Sequence, residues 1–428
     1  MTVDQERPAS EDRRNSRDFP ANPHEKRHVP KWSDVSDYLT LRSPQFDFTS
    51  SRLNACADLW DLRKLARRRT PRAVFDYVDG SAAGEVTLSR QREIYQRVEF
   101  RPEVLVDVSD LDLQTTVLGV PSELPFVFAP TGFTRLMHYQ GEVAVARVAA
   151  RHGIQYAIST LGTTSPEELA RSVPFGHKMF QLYIWRDRSF SKELLERVKN
   201  AGYNTLILTV DTPIPGQRLR DVRNGFAIPP RLTAKTLADM SMHPAWWLNL
   251  LTTPPLEFAS LSSTGGTVAN LVSKVFDPQL SMADVEWLRN SWSGPIIIKG
   301  IQSVEDAMRV AKEGVEGILL SNHGGRQLDR APVPLELLPK VLDSLGDAAE
   351  VYIDGGVMSG GDILAGLCLG ARAVFVGRAY LYGLMAGGEA GVERATQLLT
   401  EEIRTQMILL GVSKVSELNP TRVHIRPN

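Results

Sequence analysis

The chain contains eight short aliphatic runs, each with the length of one buried strand. The runs are Phe126–Ala129, Ile154–Ile158, Met179–Ile184, Leu206–Val210, Ile296–Ile298, Gly317–Leu320, Val351–Ile353 and Ala373–Val376. Runs that are continuously apolar, rather than alternating with polar residues, are typical of strands covered on both faces. The pattern therefore predicts a parallel sheet in the interior of the protein.

Segments between several of these runs have the apolar spacing and length of one amphipathic helix. They are Ser165–Ser172, Ser191–Ala201, Ser303–Glu313 and Gly361–Leu369. Alternating strands and helices predict an α/β fold, and eight such units favour closure into a TIM (β/α)8 barrel. A doubly wound open sheet is the alternative, but no GxGxxG motif follows the first run.

Two parts of the chain lie outside this repeat. Residues 1–55 are charged and polar, and they predict a flexible N-terminal extension or an arm on a neighbouring subunit. The predicted enzyme domain is 56–428, with barrel strands from about 125 to 377. Residues 219–294, after the fourth run, exceed one helix and predict a lid or binding loop.

Composition narrows the functional class. A net charge of −1 gives no electrostatic case for nucleic-acid binding. Cys56 and Cys368 lack metal or redox spacing, which favours a reducing compartment. Apolar runs all stay well below the ~18 residues of a membrane span. The expectation is a soluble, cytoplasmic enzyme.

Polar residues and glycines follow nearly every apolar run. They are Pro130, Thr131 and Gly132 after the first run, Ser159 after the second, Gln181 and Tyr183 within the third, Thr209 and Asp211 at the end of the fourth, Lys299 after the fifth, Ser321 and His323 after the sixth, Asp354, Gly355 and Gly356 after the seventh, and Gly377 and Arg378 after the eighth. In a barrel all these termini meet on one face, where barrel enzymes carry out their chemistry.

The sixth run leads into SNHGGRQLD, which combines two chemical functions. The imidazole of His323 suits proton transfer near neutral pH. Arg326, three residues later, offers a bidentate grip on a carboxylate. A histidine in such a turn can have a purely structural role, but the glycines and Arg326 around His323 favour a catalytic one.

The last two runs predict a phosphate site. Backbone N–H groups of Gly355, Gly356 and Gly377, together with Arg378, form an anion cradle at the barrel mouth. A phosphate there and a lysine at the end of the fifth run indicate a phosphorylated cofactor. The His, Cys and carboxylate spacing predicts no metal site.

Eight segments resemble one family. They are FDYVDGSA, APTGF, FQLYIWRDR, LTVDTPIPGQRLRDVRNGF, IIIKGIQS, SNHGGRQLD, YIDGGVMSG and VGRAYLYGL, spread over roughly Asp61 to Leu418. Together they resemble the FMN-dependent L-α-hydroxy-acid dehydrogenases and oxidases, and SNHGGRQLD is the most specific segment. The resemblance implies FMN as cofactor.

The resemblance also implies roles for single residues. His323 is the base that deprotonates the α-hydroxy acid, and Asp211 stabilises its imidazolium. Tyr183 contacts the substrate oxygen, while Lys299 lies against the N1/O2 edge of the flavin. The substrate carboxylate is bound by Arg218, Arg326 and Tyr77. Flavin contacts are implied for Pro130, Thr131, Gly132, Ser159, Gln181, Thr209 and Ser321 at the ring, Asp354 at the ribityl chain, and Gly355, Gly356, Gly377 and Arg378 at the phosphate.

Three positions bear on how far the resemblance extends. Met358 replaces the arginine of the family's DGGVR motif, which removes one charge from the phosphate site. Leu161 stands where glycolate oxidase-like members carry tryptophan, so the pocket for the substrate side chain differs. Gly132 stands where oxidases commonly have alanine, which favours a dehydrogenase.

The resulting hypothesis is an FMN-dependent dehydrogenase that oxidises L-lactate or a close relative to the 2-oxo acid. Electrons pass to a quinone or another carrier. Alternatives are an oxidase that uses O₂ and an inactive barrel that serves as a binding protein. The family also implies a homotetramer.

The segment His243–Ser260 within the insertion suggests two locations for the protein. It is rich in tryptophan and leucine and has almost no charge. Packing over the barrel mouth or a neighbouring subunit is one interpretation. Contact with the inner face of the cell membrane, assisted by the basic residues of Arg63–Arg72, is the other.

Overall fold

The structure is a computed structural model, and it describes residues 29–36, 48–225, 234–264 and 276–427. The chain divides into two units between Asp47 and Phe48. Within the first unit, the described residues contain one short helix, Trp32–Ser36. Most of the predicted N-terminal extension lies outside the described residues.

The second unit is built on a closed barrel of eight parallel strands, which confirms the predicted fold. The strands are Phe126–Phe128, Tyr156–Ser159, Lys178–Leu182, Thr205–Thr209, Ile296–Ile301, Gly317–Leu320, Glu350–Asp354 and Val374–Val376. Each strand pairs with the next along the chain, and the eighth pairs with the first through Val374 and Phe126. This closure excludes the open-sheet alternative.

The eight strands are buried on both faces because helices cover the outside and side chains fill the inside. Outward residues such as Phe128, Leu208 and Ile298 join the larger core beneath the helices. Inward residues form a separate cluster inside the barrel. Its strand members are Val127, Ala157, Met179, Ile207, Ile297, Leu319, Tyr352 and Phe375. The continuous apolar runs therefore reflect two cores that share one sheet.

Helices alternate with the strands as predicted. Those between barrel strands outside the insertion are Gly141–Arg151, Pro166–Ser172, Arg188–Asn200, Val304–Ala311, Pro334–Leu345 and Gly360–Cys368. Several begin at a side chain that accepts a backbone N–H, as at Ser165, Ser303 and Ser359. Such N-caps stabilise a helix start by about 1 kcal/mol each.

In the second unit, the described residues before the barrel form four helices, at Phe48–Asn54, Leu59–Arg69, Arg72–Asp79 and Val86–Gln96. A long helix, Arg378–Leu410, follows it and breaks at Gly387 and Gly388. Leu59–Arg69 packs against this C-terminal helix. Two antiparallel pairs lie outside the barrel, Val98–Phe100 with Val423–Ile425 and Thr115–Val117 with Val120–Ser122.

The insertion after the fourth strand carries helices at Leu219–Arg223, Ala234–Ser241, Pro244–Leu251 and Met282–Ser291, and a 3₁₀ turn at Ala259–Thr264. Short 3₁₀ turns also occur at Thr134–Leu136, His323–Gly325, Val415–Glu417 and Pro420–Arg422. Within the insertion, Trp246 is half-buried and its indole N–H donates to the carbonyl of Leu136 at 2.9 Å. This bond ties the segment to the loop after the first strand.

Candidate active site

The floor of the site is one further layer of inward-facing side chains. Successive inward residues of a strand are two apart, so the residue two beyond each core member also faces the barrel axis. That layer contains Ala129, Ser159, Gln181, Thr209, Lys299, Ser321, Asp354 and Gly377. The strand register aligns neighbours directly, as Ser159 with Gln181 and Thr209 with Lys299. The barrel thus changes from apolar to polar within one layer.

Hydrogen bonds hold this polar layer in place. Ser159 Oγ donates to Gln181 Oε1 at 2.8 Å, and Gln181 Nε2 donates to Thr209 Oγ1 at 3.0 Å. Lys299 Nζ donates to Ser321 Oγ at 2.8 Å and lies 3.3 Å from Asp354 Oδ2. These groups are buried, so their mutual satisfaction offsets the cost of removing them from water.

Above this layer opens a cavity of about 500 Å³. Its wall includes every sequence-predicted site residue except Asp211 and Ser321. Those two lie one hydrogen bond behind the wall. Asp211 contacts the His323 imidazole, and Ser321 Oγ accepts the backbone N–H of His323 at 3.0 Å.

His323 and Asp211 form a histidine–carboxylate pair at the site. Nδ1 of the imidazole lies 3.1 Å from Oδ1 of the carboxylate. Glycine at position 300, with φ +105°, permits this approach, because a Cβ there would lie 2.7 Å from the Asp211 Cβ. A bulge between Lys299 and Ile301 places that glycine.

Burial and the partner charge act in opposite directions on this pair. Burial lowers the pKa of His323 below its usual value, although Asp211 partly opposes the shift. Burial alone would raise the pKa of Asp211, but the nearby His323 outweighs it and the pKa is lowered. The pair therefore favours a neutral imidazole beside a carboxylate at neutral pH, which is the state of a general base.

Two arginines flank Tyr77 at the mouth of the cavity. The guanidinium carbons of Arg218 and Arg326 lie 5.3 and 4.9 Å from the centre of its ring. Arg326 Nη1 also donates to the Tyr77 carbonyl at 2.5 Å. Burial and the charge of Arg218 lower the pKa of Arg326 to about 10. Two guanidinium groups beside one tyrosine ring have the charge and the planar donors that suit a carboxylate.

Tyr183 completes the polar side of the mouth. Burial raises its pKa above the usual value, so the phenol remains a hydrogen-bond donor at neutral pH. Its ring lies 5.8 Å from that of Phe276, a residue of the insertion. With Met137 and Leu161, Phe276 gives the cavity an apolar side.

The predicted cofactor residues fit a large phosphorylated group. Oδ1 of Asp354 is buried and lacks a hydrogen-bond partner among the described residues, so an exogenous hydroxyl can satisfy it. At Gly377, an added Cβ would meet only Ala129, at 3.9 Å, so this glycine faces open cavity. Gly355 and Gly356 adopt φ of +95° and +77°, and their turn lines the same wall.

Sequence reasoning missed the helix Val86–Gln96, which reaches the site from outside the barrel. Gln91 Nε2 donates to Asn322 Oδ1 at 2.5 Å, and the same oxygen accepts the backbone N–H of Gly325 at 3.1 Å. Gln91 thus supports the turn that carries His323. Its full burial, between the charged residues Arg90 and Arg92, is visible only in the fold.

The fold and the site define a (β/α)8-barrel enzyme whose cavity brings together a histidine–aspartate pair, two arginines beside a tyrosine, and a glycine-rich wall. Residues 66–425 match the family of FMN-dependent dehydrogenases. The chain belongs to this family and is an FMN-dependent oxidoreductase.

Known proteins resemble the chain over most of its length. A Mycobacterium tuberculosis protein provisionally named L-lactate dehydrogenase is 52% identical over 93% of this chain and 96% of its own. An L-lactate dehydrogenase of Caulobacter vibrioides is 40% identical, covering 84% and 96%. The crystal structure of the monotopic membrane protein (S)-mandelate dehydrogenase matches with a TM-score of 0.84 and 37% identity, covering 87% and 100%.

No helix among the described residues combines the length and apolar character that crossing a membrane requires.

Proposed function

We propose that the protein oxidises an L-2-hydroxy acid, with L-lactate favoured, to the corresponding 2-oxo acid. One observation carries the proposal: a histidine base and two arginines line the same cavity. Arginines that hold a carboxylate, beside a base that accepts a hydroxyl proton, fit a substrate with these groups on adjacent carbons. The relatives named L-lactate dehydrogenase support this choice.

In this mechanism Arg218 and Arg326 bind the substrate carboxylate and so fix the orientation of the α-carbon. Nδ1 of His323 is engaged by Asp211, which leaves Nε2 to accept the substrate proton. Asp211 then stabilises the imidazolium that results, and Tyr183 donates to the substrate oxygen. His323 can accept the hydroxyl proton, as a hydride-transfer mechanism requires. It can equally accept the proton of the α-carbon, as a carbanion mechanism requires, so the geometry serves both.

FMN, when bound, takes up the two electrons removed from the substrate. Lys299 supplies positive charge at the barrel axis, and Ser159, Gln181, Thr209 and Ser321 supply hydrogen-bonding groups around it. Pro130, Thr131 and Gly132 provide the backbone wall beside them. Asp354 would accept from the ribityl chain, and Gly355, Gly356, Gly377 and Arg378 would lie toward the phosphate.

The substrate side chain faces an apolar surface. Met137, Leu161 and Phe276 line the cavity beside Tyr183. These residues carry no charge for a second polar group on the substrate, which favours an apolar side chain, as in the methyl group of lactate.

The direct experiment is anaerobic reduction of the bound flavin by a panel of L-2-hydroxy acids, followed by re-oxidation with O₂ or a quinone analogue. We expect rapid bleaching by L-lactate, none by D-lactate, and faster re-oxidation by the quinone. A flavin that no 2-hydroxy acid reduces would contradict the assignment. Faster re-oxidation by O₂ would instead identify an oxidase.

We propose a membrane quinone or another carrier as the electron acceptor. A quinone acceptor would require the protein to reach the membrane surface. Leu248 and Leu251 of the insertion helix are exposed at 49% and 73%. The basic stretch lies near the insertion, because the backbone N–H of Arg72 donates to Asp239 at 2.7 Å. This combination supports a cytoplasmic protein that binds the inner membrane face peripherally.

We also propose a homo-oligomer, with the tetramer as the favoured state. Val104, Leu105 and Leu409 expose large apolar side chains. The loop of Val104 and Leu105 adjoins the end of the helix that carries Leu409, since the backbone N–H of Glu103 donates to the carbonyl of Leu410 at 3.0 Å. A contiguous apolar patch of this kind is typical of a subunit contact. Light scattering during size exclusion measures the assembly size.

A further inference from the structure

The turn Gly355–Met358 closes one end of the cavity without a charge of its own. Gly355 and Gly356 have positive φ, and the backbone N–H of Met358 donates to Asp362 Oδ2 at 2.7 Å. Met358 is 5% exposed and is one of the residues that line the cavity. A thioether gives a phosphate neither charge nor a hydrogen-bond donor.

Besides Arg218 and Arg326, four arginines line the cavity, and three of them, Arg63, Arg220 and Arg378, form hydrogen bonds to other parts of the protein than this turn. Arg63 binds Asp79 through two bonds, of 2.6 and 2.8 Å. Arg378 donates to the carbonyls of Val78, Gly324 and Gly80 at 2.8 to 2.9 Å. Redirecting either group toward a ligand would break several buried hydrogen bonds.

Arg92 is the fourth, and it contacts the turn itself. It comes from the helix Val86–Gln96, and its Nη1 donates to the carbonyl of Gly356 and to Asp362 Oδ2. Its Nε is buried and has no hydrogen-bond partner among the described residues. A buried guanidinium N–H without a partner carries a desolvation cost that an incoming anion would remove.

Aromatic rings hold this guanidinium in position. Its carbon lies 5.3 Å from the centre of the Trp60 ring and 5.6 Å from that of Tyr95. The anchor at Gly356 places the group against the turn itself. The side chain is therefore preorganised, and binding an anion costs little additional side-chain entropy.

We propose that Arg92 binds the phosphate of FMN at the Gly355–Met358 turn, supplying the charge that Met358 does not. The inference rests on FMN binding within the proposed function, and it adds a residue outside the barrel to the site. A planar guanidinium beside backbone N–H groups is well suited to a phosphate dianion. The helix Val86–Gln96 then serves both ends of the site, through Gln91 at the His323 turn and Arg92 at the phosphate.

The test compares FMN with riboflavin, which has the same ring system and no phosphate. Apo-protein, freed of flavin, is titrated with each compound by fluorescence quenching. We expect Arg92→Met to raise the Kd for FMN about ten- to hundredfold and to leave the Kd for riboflavin unchanged. Arg90→Met is the matched control, because Arg90 lies on the same helix and pairs with Glu336 outside the cavity. It should change neither Kd.

A second test moves the positive charge from position 92 to position 358 of the same turn. Adding Met358→Arg to Arg92→Met should restore most of the FMN affinity, because a guanidinium returns to the same turn. If Arg92→Met folds poorly, Arg92→Gln takes its place in the test. Glutamine keeps a hydrogen-bond donor for Asp362 without the charge, so we expect the same FMN-specific loss of affinity.

The outcomes separate this inference from the proposed function. Equal losses for FMN and riboflavin would make Arg92 a structural residue, and unchanged FMN affinity would also overturn its role. Either result leaves the oxidation of a 2-hydroxy acid intact. A wild-type protein that binds neither compound would contradict the proposed function itself.

Discussion

Nδ1 of His323 lies 3.1 Å from Oδ1 of Asp211, and the carboxylate is almost fully enclosed while the imidazole reaches the cavity. The two residues are 112 positions apart in the chain. Their contact fixes which imidazole nitrogen remains available to a substrate, and it couples the protonation of the base to a buried negative charge.

Replacing the base should stop the chemistry without removing the cofactor. We expect His323→Gln to retain FMN and to slow flavin reduction by about 10²- to 10⁴-fold. Stopped-flow absorbance measures this rate. His152→Gln is the control, because His152 pairs with Glu393 away from the cavity. A reduction rate close to wild type would remove His323 from the mechanism.

The pH dependence follows from the direction of the His323 shift. The pKa lies below 6.5, and only the neutral imidazole accepts a proton, so the reduction rate should hold at neutral pH and fall as pH drops through that pKa. In Asp211→Asn the charge that raises the pKa of His323 is gone. The acidic limb should therefore move to lower pH while the plateau rate falls. An acidic limb that moves upward would contradict the coupling.

The arginine pair should govern carboxylate binding. We expect Arg218→Met and Arg326→Met each to weaken binding of oxalate by about ten- to hundredfold, because each removes a charge-assisted contact. Lysine at either position should rescue poorly, since it lacks the planar fork. Arg223→Met, at an exposed position after Arg218, is the control. Wild-type oxalate affinity in Arg218→Met would exclude that residue from the clamp.

Gly132 and Leu161 should set the size of the side-chain pocket. A Cβ at position 132 would lie 3.1 Å from the Leu161 Cβ and 3.3 Å from its carbonyl oxygen, so Leu161 must move. We expect Gly132→Ala to lower kcat/KM for bulky L-2-hydroxy acids about tenfold more than for L-lactate. Adding Leu161→Gly, which removes the contacting Cβ, should reverse most of this effect. Equal losses for all substrates would place the contact outside the specificity pocket.

We expect membrane binding through the insertion to depend on Leu248 and Leu251 rather than on Trp246. The indole of Trp246 bonds to Leu136, so its replacement should lower thermal stability. We expect the double variant Leu248→Ser and Leu251→Ser to reduce sedimentation with anionic liposomes severalfold and to leave flavin reduction normal. Phe175→Ser, an exposed residue before the third strand, is the control. Unchanged sedimentation would assign the helix to packing alone.

The barrel and most of its catalytic face were predictable because they depend on local order along the chain. Eight apolar runs identify eight strands, and the period of two then places the next inward residue of each strand in the site. Lys299 and Asp354 follow their runs directly, so their convergence needs only the closure of the barrel. Asp211, which lies just behind the wall, was found in the same way.

Contacts between distant segments could be decided only by the tertiary structure. Gln91 and Asn322 are 231 residues apart, and no local pattern on the helix Val86–Gln96 marks it as part of the site. The engagement of Arg378 with three carbonyls, and the exposed positions of Leu248 and Leu251, depend equally on how separate elements pack. Local periodicity determines which face of a strand a residue occupies. Which helix covers that face, and which charges remain without partners there, depends on packing across the whole domain.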